Sequence, residues 1–183
     1  MKLKDFLTCE SNKYTIRTLT HQNRIMSNKN NTHATLNEVL TSKLTSINQF
    51  FLHARMAKDW GLEALDGMFY KKSIKDMKQA DDLMERIFLL GGLPNLQKLN
   101  RLRIGENTEE VLSCNAQFLA DQHAVIKQAI GQCETAQDYV SRDLLSGILS
   151  HEEDIIDWHE TQVSLIKDLG IHNYNQSQMG ADQ

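Results

Sequence analysis

The chain has 183 residues, enough for one domain with a sizeable core, and a formal net charge of -4 with 24% charged residues. That balance argues against general binding to nucleic acid or to an anionic membrane surface. No apolar run approaches the roughly 20 residues that a membrane span needs, and one proline and nine glycines leave few places to break a helix.

Residues 1–31 differ from the rest. Lys2, Lys4, Lys13, Arg17 and Arg24 outweigh Asp5 and Glu10, and Asn, Thr and Ser are frequent. The segment lacks the apolar stretch of a secretory leader. It reads as a disordered extension or an over-extended start, with Met26 as the alternative first residue. A targeting peptide or an interaction arm is the competing reading. The domain proper is expected over 32–183.

Helical periodicity begins at Thr35. The spacing predicts long helices over 35–60, 63–90, 108–133 and 138–168, and a short one near 171–179. Inward stripes follow steps of three and four. The first carries Leu36, Leu40, Lys43, Ile47, Phe50 and Ala54. The second carries Phe69, Asp76, Gln79, Leu83, Ile87 and Leu90. The third carries Leu112, Leu119, Ile126, Ile130 and Cys133. The fourth carries Leu145, Ile148, Glu152, Ile155, His159 and Ile166. Trp60-Gly61 marks a tight turn, whereas about 17 residues with Gly91, Gly92, Pro94 and Gly105 join the second and third helices. The expected fold is therefore all-α: a ferritin-like four-helix bundle with a long crossover between the second and third helices and a short fifth helix.

Cys9, Cys114 and Cys133 form no disulfide framework. The last two share one predicted helix, where 19 steps of about 1.5 Å put them roughly 28 Å apart. Free thiols point to a reducing compartment, and the expected location is the cytoplasm.

Several polar groups fall on apolar stripes. Lys43 lies among Leu36, Leu40, Ile47 and Phe50, and must be paired or carry a displaced pKa. Asp76, Gln79 and Glu152 fall at a similar depth, with His159 two turns further on. The pattern admits a structural hydrogen-bonded cluster, or a metal site or its remnant. Met77, one helical step from Asp76, turns about 100° away, toward an outer face. A helical methionine on its own is ordinarily a packing residue.

The sequence also contains SINQFFLHARM at Ser46–Met56, KDWGLEAL at Lys58–Leu65, GLPNLQKL at Gly92–Leu99, LRIGEN at Leu102–Asn107, DYVSRDLL at Asp138–Leu145 and NYNQSQM at Asn173–Met179. In this order and spacing the runs resemble bacterioferritin, from about Thr35 to Met179. The resemblance implies an iron-storage shell of two dozen subunits around a ferric mineral core. It implies b-type haem at two-fold dimer interfaces and a ferredoxin-type protein as reductant. It further implies that Met77 from each of two subunits ligates the haem iron, with Leu44, Ile47, Asn48 and Phe51 lining the pocket.

Active members of that family oxidise Fe(II) at a di-iron centre built from Glu, Glu-x-x-His, Glu and Glu-x-x-His on the four helices. Here the corresponding positions are Lys43, Asp76 and Gln79, Leu119, and Glu152 and Ile155. Only Glu152 keeps the family residue. Four carboxylates supply about -4, whereas Asp76, Glu152 and Lys43 sum to about -1 if ionised. The expectation is that the di-iron centre is absent, that Asp76 and Glu152 are residual metal-binding positions, and that Lys43 pairs with one or both. Leu119 and Ile155 would fill the remaining space. Phe50 and Leu83 replace frequent family tyrosines, and Lys71 and Lys75 replace cavity-facing groups of some members. The chain is thus expected to be a haem-carrying shell subunit, not catalytic alone, that co-assembles with a second, ferroxidase-competent bacterioferritin subunit. The alternative is a ferroxidase using a non-standard site at Asp76, Glu152 and His159. No nucleic-acid or membrane partner is expected.

Overall fold

The structure is a computed structural model that describes the backbone of residues 4–180 and the side chains of residues 32–180. Within those limits it contains five helices and no strand: α1 (Lys4–Asp59), α2 (Glu63–Leu89), α3 (Thr108–Thr135), α4 (Tyr139–Leu169) and α5 (Ile171–Gln178). Helix α1 begins at Lys4, where the periodicity predicted a first helix over 35–60, so the backbone of residues 4–31 continues that helix, while the side chains of residues 1–31 lie outside the described residues. Cys9 is among them. Cys114 and Cys133 both lie on α3 as free thiols.

The turns follow from local chemistry. At the end of α1 the Leu62 amide reaches back to the Ala57 carbonyl (2.8 Å) while Gly61 takes a φ of +76°. This left-handed stop lets α2 fold back against α1. Gly91 closes α2 in the same way. Asn107 caps α3 by accepting from the Glu110 amide (3.0 Å). Asp138 caps α4 by accepting from the Ser141 amide (3.1 Å), and Arg86 at the end of α2 binds the same carboxylate at 2.6 Å. Burial raises the Asp138 pKa, but Ser141 and Arg86 outweigh it and hold the group below its ordinary 3.8.

The crossover between α2 and α3 runs along α1 in the same direction as that helix. Its backbone amides donate to α1 side chains in sequence: Asn95 to Asn37 Oδ1 (2.7 Å), Asn100 to Thr45 Oγ1 (2.9 Å) and Arg103 to Gln49 Oε1 (3.0 Å). Polar residues on α1 thereby satisfy a segment that has no ladder of its own. Because the crossover retraces the full length of the bundle, α3 starts beside the end of α1 and runs parallel to α2. Helices α1 and α2 pack as one pair and α3 and α4 as the other.

The predicted stripes face inward. All their members are buried except Ile47, Leu90, Ile130 and Ile166, which are half-buried. They form two apolar clusters, one around Phe50, Phe69, Leu112 and Leu119, the other around Leu40, Leu83, Ile126 and Leu145. A polar layer separates them.

One turn carries strain. Gln137, between α3 and α4, has a φ of +58° and is the sole non-glycine with positive φ among the described residues. It occupies the position where glycine ordinarily ends a helix, and the Asp138 amide reaches the Cys133 carbonyl at 2.9 Å. Gln137→Gly is expected to stabilise the fold by roughly 0.5–1 kcal/mol, the left-handed penalty less the entropy of a freer unfolded chain. A urea melt that moves to a lower midpoint would contradict this.

Candidate functional site

The polar layer is built from three helices. Lys43 comes from α1, Lys72 and Asp76 from α2, and Glu152 from α4; each is at most 2% exposed. The Lys43 ammonium lies 2.9 Å from Asp76 Oδ1 and also bonds Glu152 Oε1. The Lys72 ammonium lies 2.6 Å from Asp76 Oδ1 and 2.8 Å from Glu152 Oε1. Ser46 donates to Asp76 Oδ2 at 2.6 Å. Lys43 thus pairs with both carboxylates, one of the arrangements expected for it.

Lys72 was not anticipated. It changes the charge balance from the expected value near -1 to zero, two ammonium groups against two carboxylates. The signal was present in the chain, since Lys72 lies three residues after Phe69 and four before Asp76 on the inward stripe of α2. Burial pulls Lys43 below its ordinary 10.5; Asp76 and Glu152 oppose that pull, and Lys72 adds to it. For Lys72 burial acts in the same direction, yet Asp76 and Glu152 outweigh it and the pKa stands raised. Burial raises Asp76, but Lys72, Lys43 and Ser46 hold it below 3.8.

The remaining positions of the layer are apolar or neutral. Leu119 on α3 is fully buried and Ile155 on α4 is 5% exposed. Gln79 is buried with its Oε1 unpartnered, and Glu152 Oε2 likewise has no donor. Among the described residues, no group of three or more His, Cys, Asp and Glu side chains is placed to hold a metal ion. This donor set does not fit a pair of divalent irons: the two carboxylates already carry two cations, and no imidazole joins them.

His159 lies toward the neighbouring apolar cluster. Its Nδ1 donates to the Ile155 carbonyl at 2.9 Å, and its ring stacks on Phe69 with centroids 6.2 Å apart. Burial, the largest effect, lowers its pKa from 6.5 to about 4. His53 belongs to a separate relay. Because Gln49 Oε1 accepts from the Arg103 amide, Gln49 Nε2 must donate to Asn115 Oδ1 (3.0 Å), which also accepts from His53 Nδ1 (2.8 Å). His53 therefore carries a proton on Nδ1, its Nε2 is buried without a partner, and burial lowers its pKa too.

Outside the layer, Met77 is 52% exposed although Asp76 beside it is fully buried. Leu44, Ile47, Asn48 and Phe51 share one face of α1 and are half-buried or exposed. The ring contact between Phe51 and Tyr70 at 6.2 Å sets the register of this face. Seven residues back along α1 and seven forward along the antiparallel α2 put Leu44 level with Met77. Arg55 covers both rings, 5.5 Å from the centre of Phe51 and 5.1 Å from that of Tyr70.

Paired helical hairpins, one full-length crossover and a charged layer at mid-bundle define a ferritin-like bundle. Residues 33–169 match the model of the ferritin-like domain. The chain is 39% identical to the bacterioferritin of Brucella melitensis over 141 residues, covering 77% of this chain and 88% of that one. It is 41% identical to the bacterioferritin of Rhodobacter capsulatus over 142 residues, 76% and 86% of the two chains. It is 40% identical to a bacterioferritin of Mycobacterium tuberculosis over 140 residues, 76% and 88%. The chain belongs to the bacterioferritin family of the ferritin-like superfamily.

The buried histidines predict an acid limb of stability. A histidine held neutral in the fold has its pKa depressed, so the unfolded chain takes up protons first as pH falls below 6.5. His159 therefore contributes fully above that pH and progressively less down to about 4, a loss on the order of 3 kcal/mol. The Asp76 contribution disappears only below 3.8. Urea melts across this range should show the decline, and His159→Phe should flatten it. An unchanged slope in that variant would contradict the assignment.

Proposed function

We propose that this chain is an iron-storage shell subunit that carries haem at a two-fold interface and leaves iron oxidation to a second, ligand-complete bacterioferritin subunit. Membership of the bacterioferritin family supports storage and self-assembly into a shell. The exposed thioether of Met77 is the observation that carries the haem reading. A soft sulfur stands half in solvent on a partly apolar face, level with Leu44, while its neighbour Asp76 is fully enclosed. Burying such a face against a second copy suits a shared axial site better than an isolated surface methionine does. Met77 from two subunits would hold the iron, and Leu44, Ile47, Asn48 and Phe51 would flank the ring. Bound there, b-type haem supplies one-electron transfer, and thioether ligation favours its ferrous form. A ferredoxin-type protein fits as the electron source for releasing iron from the ferric core.

The division of labour rests on the lysine and carboxylate layer, whose donors are engaged with one another. A residual ferroxidase at Asp76, Glu152 and His159 draws less support, because His159 lies in the aromatic cluster and both acids pair with lysines. No helix among the described residues is long and apolar enough to cross a membrane. The cytoplasm, with its reducing conditions, suits the free thiols of Cys114 and Cys133.

The test is purification of the chain alone and together with a ligand-complete bacterioferritin subunit. The homomer supplemented with haem should show a Soret band that Met77→Leu abolishes. It should oxidise Fe(II) no faster than buffer, whereas the mixed assembly should oxidise it quickly. A homomer with no Soret band would refute the haem assignment. Rapid oxidation by the homomer would refute the division of labour.

A further inference from the structure

Both ammonium nitrogens of the buried layer contact the same two oxygen atoms. Lys43 and Lys72 each bond Asp76 Oδ1, and each bonds Glu152 Oε1. Nitrogen and oxygen alternate around a closed ring of four atoms. A carboxylate oxygen shared by two cations is the arrangement that bridges a pair of metal ions, and here both cations are lysine side chains. The outward oxygens differ in their partners. Asp76 Oδ2 is held by Ser46, whereas Glu152 Oε2 is buried without a donor, as is the amide oxygen of Gln79, three residues along α2 from Asp76.

We infer that this layer is a divalent-cation site of oxygen ligands that is kept closed by two covalently tethered ammonium groups, so that Lys72, together with Lys43, determines that metal is excluded. Loss of ligands alone does not account for the exclusion. Asp76, Glu152, Gln79 and Ser46 still offer six side-chain oxygens on three residues of α1 and α2 and one of α4. Two carboxylates balance one divalent ion, and they are withheld from it only because two positive charges already sit between them. A lysine at one position would leave the layer at a net charge of -1; the second lysine brings it to zero and removes the electrostatic reason for a metal to enter. The inference rests on reading this layer as non-catalytic in the unaltered chain.

The test uses the full chain and Mn(II), a hard ion whose free form gives a countable electron paramagnetic resonance signal. Three proteins are compared: the unaltered chain, Lys43→Ala with Lys72→Ala, and that pair combined with Asp76→Asn and Glu152→Gln. The double variant should take up one Mn(II) per chain at least tenfold more tightly than the other two, and its melting temperature should rise with Mn(II) while theirs do not. Should the double variant fail to fold in metal-free buffer, refolding in Mn(II) should recover it. A folded double variant that ignores Mn(II) overturns the inference. So does one that Mn(II) cannot recover while the fourfold variant folds, or an unaltered chain that binds equally well. Fe(II) oxidation by the unaltered homomer addresses the non-catalytic reading separately, and haem uptake at Met77 is independent of both.

Discussion

Four charged groups buried together must remain together. Lys43, Lys72, Asp76 and Glu152 are removed from water at mid-bundle, and each is tolerable there only because the other three are present. Removing one partner from such a set leaves an uncompensated charge and costs about 3–5 kcal/mol. Since the four come from α1, α2 and α4, that penalty also ties the heights of three helices to one another. Helix α3 adds no charge to the layer: it contributes Leu119 to the apolar packing and is tied to α1 by neutral hydrogen bonds, Gln122 to Ser42 at 3.1 Å and Asn115 to Gln49 and His53.

A second constraint acts on the outside of the same helices. The crossover is held by Asn37, Thr45 and Gln49, which lie along α1 and accept its backbone amides. One of these contacts reaches far inward. The Arg103 amide orients the Gln49 side chain, which orients Asn115, whose oxygen keeps a proton on Nδ1 of His53. A loop on the surface thus determines where a proton sits in the core.

The antiparallel register of α1 and α2 joins the inner layer to the outer face. Lys43 meets Asp76 inside, and one residue further on each helix, Leu44 and Met77 face outward at the same level. A helical step of about 100° separates the two environments. The layer and the proposed haem face are therefore two sides of one helix pair, and a shift in register would displace both.

Helix lengths, the tight turn at Gly61 and the long crossover were legible in the chain, because steps of three and four and the placement of glycine and proline are local properties. Local spacing likewise located Lys43, Asp76 and Glu152 on inward stripes and turned Met77 away from them. Lys72 escaped notice although its spacing from Phe69 and Asp76 is helical, because a lysine between Lys71 and Ser73 looks like part of a solvated face. Only the packed bundle brings its ammonium between carboxylates from two helices. By itself the sequence determined an all-α chain of ferritin-like order with an impoverished set of acidic and histidine ligands. The tertiary structure decided that the acids which remain are already neutralised, since charge balance in a buried layer is a property of groups that meet across helices and not of any one stretch of chain.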